Sequence, residues 1–130
     1  MDKISLSKAF SNHFIEFLNE IVQLFPKNIK IRTFRTAVLQ IKTVNPSKII
    51  KLWYSVIARK FKDQIYSEDF SFFESKDYSG DLKNTRWDAD DIHSFISEMK
   101  QSSLNMSIEN KKKTMKYLCN LTKISELYHQ

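Results

Sequence analysis

The strongest hydrophobic pattern in the chain is the stretch FSNHFIEFLNEIVQLFP, residues 10–26. On an α-helix, where each residue turns by about 100°, its large side chains gather on one side and its polar ones on the other. The apolar arc covers about half of the circumference, more than on a typical surface helix, so this helix needs neighbours on two sides. Ser5 or Ser7 is predicted to cap its start and Pro26 to stop it. The apolar positions are Phe10, Phe14, Phe17, Leu18, Ile21, Leu24 and Phe25.

Two further helices follow at the same spacing. The second is predicted over residues 29–43, with Asn28 as its cap, because apolar residues recur there three and four apart. The motif VNPS then starts a third helix: Asn45 caps it, and Pro46 occupies its first turn, where a missing N–H costs nothing. This helix is predicted to run to about residue 66 and to form the centre of the core.

The remaining patterns are shorter. YSEDFSFFE predicts a fourth helix capped by Ser67, with Phe70 and Phe73 packed inward, and the aperiodic SKDYSGDLKNT predicts a loop. A fifth helix is predicted from Trp87 or Asp88 to residue 101, burying Ile92, Phe95, Ile96 and Met99, and a sixth over residues 108–128 with Ser107 as its cap.

The fold predicted from these patterns is all-α, a compact single-domain bundle of five or six helices over residues 1–130. Composition agrees with it, because the 130 residues include only 1 glycine, and the tight turns of sandwiches and barrels depend on glycine.

Charge is unevenly distributed: the net charge is +6, with both ends basic and the middle acidic. Two interpretations stay open, an anionic partner for the basic face or attraction between segments of the chain itself. Basic residues form stripes on the predicted helices, and these stripes are either a surface that neutralises phosphates or an ordinary solvated face. The candidate phosphate contacts are Lys48, Lys51, Arg59 and Lys62 on the third helix and Arg32 and Arg35 on the second.

Candidate catalytic chemistry is sparse. No nucleophile elbow or phosphate-binding loop occurs, and a chain with 1 glycine cannot build a Gly-rich fingerprint. RWDADDIH places Asp88, Asp90, Asp91 and His93 together, either as metal ligands or as acids that complement a helix N-terminus; the second interpretation fits their spacing better. We predict no enzyme activity, no catalytic residues, no metal and no cofactor. Cys119 is predicted to be a small buried side chain.

The start of the chain lacks the basic and apolar regions of a signal peptide, and the apolar runs are too short to span a bilayer. We therefore predict no membrane span and a reducing intracellular setting.

Adjacent aromatic residues in the fourth helix suggest a partner contact. Phe72 and Phe73 cannot both face inward from one short helix, so one of them, or Tyr78 in the loop, is a candidate anchor for a protein partner. The alternative is that the short helix lies across the bundle and buries both rings.

Three segments carry a resemblance: HFIEFLNEIVQLFP, NPSKIIKLWYSVIARKFKDQIYSEDFSFFESKDYSGDL and KKKTMKYLCNLTKISELY. They resemble a family of short uncharacterised proteins encoded by large nucleocytoplasmic DNA viruses of algae and amoebae. The most specific part is Asn45-Pro46 followed by Ile49, Ile50 and Trp53, then Asp69, Phe72-Phe73 and Asp77-Tyr78. The resemblance implies a viral setting, in the host cell cytoplasm or the virion, and no particular activity.

Together these observations favour a non-enzymatic viral protein that binds a viral or host protein or associates with itself. The alternative hypothesis is a small basic protein that binds the backbone of nucleic acid without sequence specificity.

Overall fold

The computed structural model describes residues 2–76 and 89–130, and for residues 89–94 and 96 it describes the backbone alone. The helices are α1 (Lys3–Leu24), α2 (Ile29–Val44), α3 (Pro46–Trp53), a π-helical turn (Tyr54–Ala58), α4 (Arg59–Tyr66), α5 (Phe70–Ser75), α6 (Ala89–Ser103) and α7 (Ile108–Tyr128).

Helix α1 packs against α2, α3 and α7, so its broad apolar arc has neighbours on several sides, as predicted. Phe10, Leu18 and Ile21 are fully buried. The predicted cap was wrong: Asp2 caps the helix, and its carboxylate accepts a hydrogen bond from the Ser5 N–H at 2.7 Å. An acid suits a helix N-terminus as well as a hydroxyl does, so the helix begins earlier than the apolar pattern shows. It ends just before Pro26, as predicted.

Helix α2 begins where the sequence predicts. The Asn28 side chain accepts a hydrogen bond from the Ile31 N–H at 3.1 Å and donates one to Glu98 of α6 at 2.8 Å. One residue thus caps α2 and ties it to α6. Asn45, by contrast, makes no side-chain capping bond to α3; its side chain accepts from the Ser47 hydroxyl instead.

The two asparagines form a matched test of capping. We expect Asn28→Ala to lower the free energy of unfolding by about 1–3 kcal/mol, because it removes both a helix cap and the hydrogen bond that joins α2 to Glu98 of α6. Asn45→Ala should cost less than about 0.5 kcal/mol. Urea unfolding followed by circular dichroism measures both, and equal losses would contradict the capping geometry.

The third predicted helix is continuous from residue 46 to residue 66 but contains a π turn. The Arg59 N–H bonds to the Tyr54 carbonyl, five residues earlier, which widens this turn by one residue. Its effect appears in the burial pattern: Ile49 and Ile50 are buried before the turn, and Ala58, Phe61 and Ile65 after it. The π turn keeps the apolar sides of α3 and α4 on the same side of the molecule.

A sharp bend separates α4 from α5. Glu68 adopts a left-handed conformation with φ 56°, which is uncommon for a residue other than glycine. The bend moves the start of α5, so the predicted Ser67 cap was wrong. Asp69 caps the helix, accepting from the Phe72 N–H at 3.2 Å.

Helices α6 and α7 lie close to their predicted positions. Helix α6 extends two residues beyond the predicted end, and its predicted start at Trp87 or Asp88 lies outside the described residues, as do the side chains of Ile92 and Ile96. The Ser107 hydroxyl caps α7 by accepting from the Asn110 N–H at 3.1 Å, as predicted.

The structure confirms an all-α helical bundle. In residues 2–76 and 89–130 no strand occurs, and the helices number six when the continuous segment from α3 to α4 is counted as one. That the chain forms one domain stays a prediction. Most buried side chains belong to one cluster around α1, and Phe61 and Ile65 form a second, with Phe72, Phe73, Leu118 and Cys119 packed against it.

Candidate functional site

A partly open cavity of about 160 Å³ lies within the bundle. Five regions contribute to its wall: α1, the segment around the π turn, α5, α6 and α7. Its lining is almost entirely apolar, and aromatic rings make up much of it. The residues that carry the argument are Phe14, Phe17, Trp53, Ile57, Phe73 and Leu118.

The wall follows from the spacing of residues on two helices. Phe14 and Phe17 lie three residues apart on α1 and therefore share a face. Trp53 is the last residue of α3, and Ile57 lies in the π turn, so the widened turn itself forms part of the wall. π turns of this kind are frequent at functional sites.

Ring contacts fix this wall. The Phe14 and Trp53 rings meet edge to face with centroids 5.7 Å apart, and Trp53 meets Phe10 in the same way at 6.0 Å. The Trp53 indole N–H donates to the hydroxyl of the buried Thr122 at 3.2 Å. Such contacts hold bulky side chains in one orientation, so the cavity is bordered by side chains that cannot readily turn into it.

The polar side chains of the lining bond to other parts of the chain. Thr114 donates to the Asn110 carbonyl at 2.9 Å, and Ser103 to the Lys100 carbonyl at 2.7 Å. Glu74 pairs with Lys111 at 3.3 Å, and Lys100 donates to the Lys76 carbonyl at 2.6 Å. Because these groups are already bonded, the cavity offers an apolar surface and favours an apolar occupant.

The predicted partner-contacting aromatic residues lie beside this cavity. Phe73 lines it, and Phe72 packs on Phe61 with ring centroids 5.9 Å apart. Both rings are half-buried, so α5 packs both of them against the bundle, as in the alternative interpretation. Tyr78 lies outside the described residues.

The predicted basic residues of α2 are bonded to other parts of the chain. On α2, Arg35 donates to Asn19 of α1 and Lys42 to Asn12 of α1, the latter at 2.7 Å, so these cations lie along the α1 surface. Arg32 donates to the Pro26 carbonyl at 3.4 Å. Helix α3 packs against α1 and α4 against α7; of their cations, Lys51, Arg59 and Lys62 are exposed and Lys48 is half-buried.

In the described residues, no cluster of three or more His, Cys, Asp or Glu side chains that could hold a metal ion occurs; the side chains of the predicted acidic cluster at 88–93 lie outside them. Cys119 is half-buried and its thiol contacts the Ile65 carbonyl at 3.1 Å. Burial, reinforced by the charge of Glu68, raises the pKa of this thiol, so it is less reactive than a free thiol.

Two tyrosines also have altered acidity. Partial burial, although 41% of Tyr66 is exposed, and a hydrogen bond to Glu126 raise the pKa of Tyr66. Partial burial, with the charges of Glu20 and Glu16, raises the pKa of Tyr117. Both therefore stay protonated, and the Tyr66 hydroxyl donates to Glu126. The Tyr117 ring also packs on the half-buried His13 ring, with centroids 4.9 Å apart.

No protein-family model, curated protein or solved structure matches this chain. Within residues 2–76 and 89–130, none of the helices combines the length and apolar character needed to cross a bilayer.

The cavity itself was not predicted. The sequence holds a partial signal, because the apolar residues of the third helix cover more of its surface than one packing face needs. Which of these side chains leave space between them depends on how five segments pack, and spacing along one helix does not show that.

Proposed function

We propose that this protein works by binding, not by catalysis, and that its cavity receives one apolar side chain of a protein partner. The observation that carries the proposal is the partly open, aromatic-lined cavity of about 160 Å³. The resemblance to proteins of large DNA viruses supplies the setting, the cytoplasm of an infected host cell or the virion, with a viral or host protein as partner.

The volume of the cavity favours a side chain over a larger ligand. Sites for cofactors and drug-sized molecules occupy roughly 300–1,000 Å³. An engineered apolar cavity of about 150 Å³ in another protein stays dry and binds benzene. The present cavity, at about 160 Å³, therefore has room for one aromatic ring or one branched aliphatic chain.

A single buried side chain is enough to direct binding. In protein interfaces a few residues, often aromatic and inserted into a well-packed pocket, carry most of the binding free energy. The fixed rings of Phe14 and Trp53 supply such a pocket without reorganisation, so little ordering entropy is lost on binding.

Filling the cavity tests this proposal. We expect Leu118→Phe, on the cavity wall, to raise the free energy of unfolding by about 0.5–2 kcal/mol and to abolish binding of benzene. The matched control is Leu127→Phe on the same helix, where the side chain is 50% exposed; it should leave both unchanged. Thermal unfolding of the full chain with and without benzene measures both effects, since a ligand of the folded state raises Tm.

Displayed random peptides then identify the class of partner. Peptides selected on the wild-type protein should share one aromatic or large aliphatic position and lose affinity for Leu118→Phe but not for Leu127→Phe. Failure of benzene to bind the wild type would overturn the cavity site. Two results would overturn the proposal that the occupant is a side chain of another protein. One is binding of benzene without selection of any peptide, and the other is a dimer, seen by light scattering, that Leu118→Phe dissociates.

A further inference from the structure

A second surface, independent of the cavity, lies on the outward side of α3 and α4. Among the described residues, no hydrogen bond, ion pair or ring contact is made by four cationic side chains of this continuous helix: Lys48, Lys51, Arg59 and Lys62. Lys51, Arg59 and Lys62 are exposed and Lys48 is half-buried. The helix from residue 46 to residue 66 contains a single acid, Asp63, against five basic residues. We call these four side chains the α3–α4 basic face.

Some cations elsewhere on the molecule are engaged by acids of the chain itself. Lys30 pairs with Glu98 at 3.4 Å, and Lys113 pairs with Glu20 at 3.2 Å. These pairs account for part of the attraction between basic and acidic segments that the sequence suggests. The α3–α4 basic face takes no part in such pairs, so its charge is available to another molecule.

The geometry of the helix presents these charges together. Lys48 and Lys62 are fourteen residues apart in the sequence, and at about 1.5 Å per residue the face is about 21 Å long. Exposed cations occur on both sides of the π turn, Lys51 before it and Arg59 and Lys62 after it.

The side chains of the α3–α4 basic face determine which class of molecule it can bind. In the described part of the helix, Tyr66 is the only large hydrophobic residue that is well exposed, and its hydroxyl is bonded to Glu126. The face thus offers neither an apolar side chain to enter a bilayer nor a free aromatic ring on which bases could stack. What it offers is charge complementarity to a row of phosphates.

We propose that the α3–α4 basic face binds the phosphate backbone of duplex nucleic acid, without reading its sequence. Each lysine or arginine that contacts a phosphate releases condensed counterions, so affinity falls steeply with salt. The basic residues of α2 are excluded from this site, because Arg35 bonds to Asn19 and Arg32 to the Pro26 carbonyl.

Fluorescence anisotropy with a short labelled DNA duplex of mixed sequence tests the proposal. With four contacts, log K should fall against log salt with a slope of about −3.6, a loss of affinity on the order of 10²-fold between 50 and 200 mM salt. The double variant Lys51→Gln/Arg59→Gln should reduce the slope by about 1.8. Arg32→Gln/Arg35→Gln, the matched control on α2, should leave it unchanged.

Each other outcome would overturn the proposal. If the protein does not bind duplex DNA at about 50 mM salt, the α3–α4 basic face is not a nucleic-acid site. If only the α2 variant changes the slope of log K against log salt, the phosphates bind to α2 instead. Equal or stronger binding of phosphatidylserine vesicles, lost in the same α3–α4 variant, would assign the face to a lipid surface. Leu118→Phe should bind duplex as the wild type does, so this result is separable from that for the cavity.

Discussion

Replacing Ile21 by alanine should destabilise the protein by about 2–5 kcal/mol. Ile21 lies on the apolar arc of α1 and is 1% exposed, in the main cluster of buried side chains. Truncation removes apolar contacts and leaves a cavity that rigid helices on several sides cannot close. Because small domains have a total stability of only about 5–15 kcal/mol, the loss would be a large part of the whole.

Ile4 on the same helix is the matched control. It is 76% exposed, so Ile4→Ala should change the free energy of unfolding by no more than about 0.5 kcal/mol. Urea unfolding of both variants measures the difference, and the conservative Ile21→Val, expected to cost about 0.5–1.5 kcal/mol, gives a reading if Ile21→Ala does not fold. A similar loss of stability in Ile21→Ala and Ile4→Ala would contradict the burial of the apolar side of α1 in the core.

Much of the helical architecture could be predicted because its signals are local. Asn28 and Ser107 precede apolar residues at helical spacing, and each caps a helix in the structure through its own side chain. Pro26 ends α1 because proline restricts the residue before it. Signals of this kind act within one turn, so a single sequence shows them.

Features that depend on packing between segments were predicted poorly. The Ser67 cap was wrong because Glu68 takes a left-handed conformation and carries the start of α5 to Asp69. The π turn was not predicted. From Trp53 to the buried Ala58 the spacing is five residues, longer than an α-helical turn, but the apolar residues Leu52, Val56 and Ile57 around it make the pattern look regular. Whether the basic stripes share one face was left open, because it depends on the directions of the helices, which spacing along one helix does not give.

One helix serves both proposed sites. Trp53 and Ile57 point from α3 and the π turn into the wall of the cavity, while Lys51 and Arg59 lie on the opposite, exposed side. The proposals therefore make separable demands on the same element: substitutions on one side should alter the fit of an apolar side chain, and those on the other should alter the salt dependence of duplex binding.

We expect the π turn to keep the apolar residues before it and after it on the same side of the helix, and deletion of one residue tests this. Removing Ser55, an exposed residue of the turn, should convert it to an ordinary α-helical turn while Ile50 before it and Phe61 after it remain buried. We expect cooperative unfolding to be kept, with a loss below about 2 kcal/mol.

Deletion of Lys116 from the regular helix α7 is the control. No widened turn lies there to absorb the change, so the residues beyond it rotate by about 100°, and the buried Leu121 and Tyr128 leave the core. Since each such side chain contributes about 1.5–3 kcal/mol, we expect a loss of more than about 3 kcal/mol and a broadened thermal transition. Differential scanning calorimetry measures both losses of stability. Equal losses in the two deletion variants would mean that the π turn does not accommodate an extra residue.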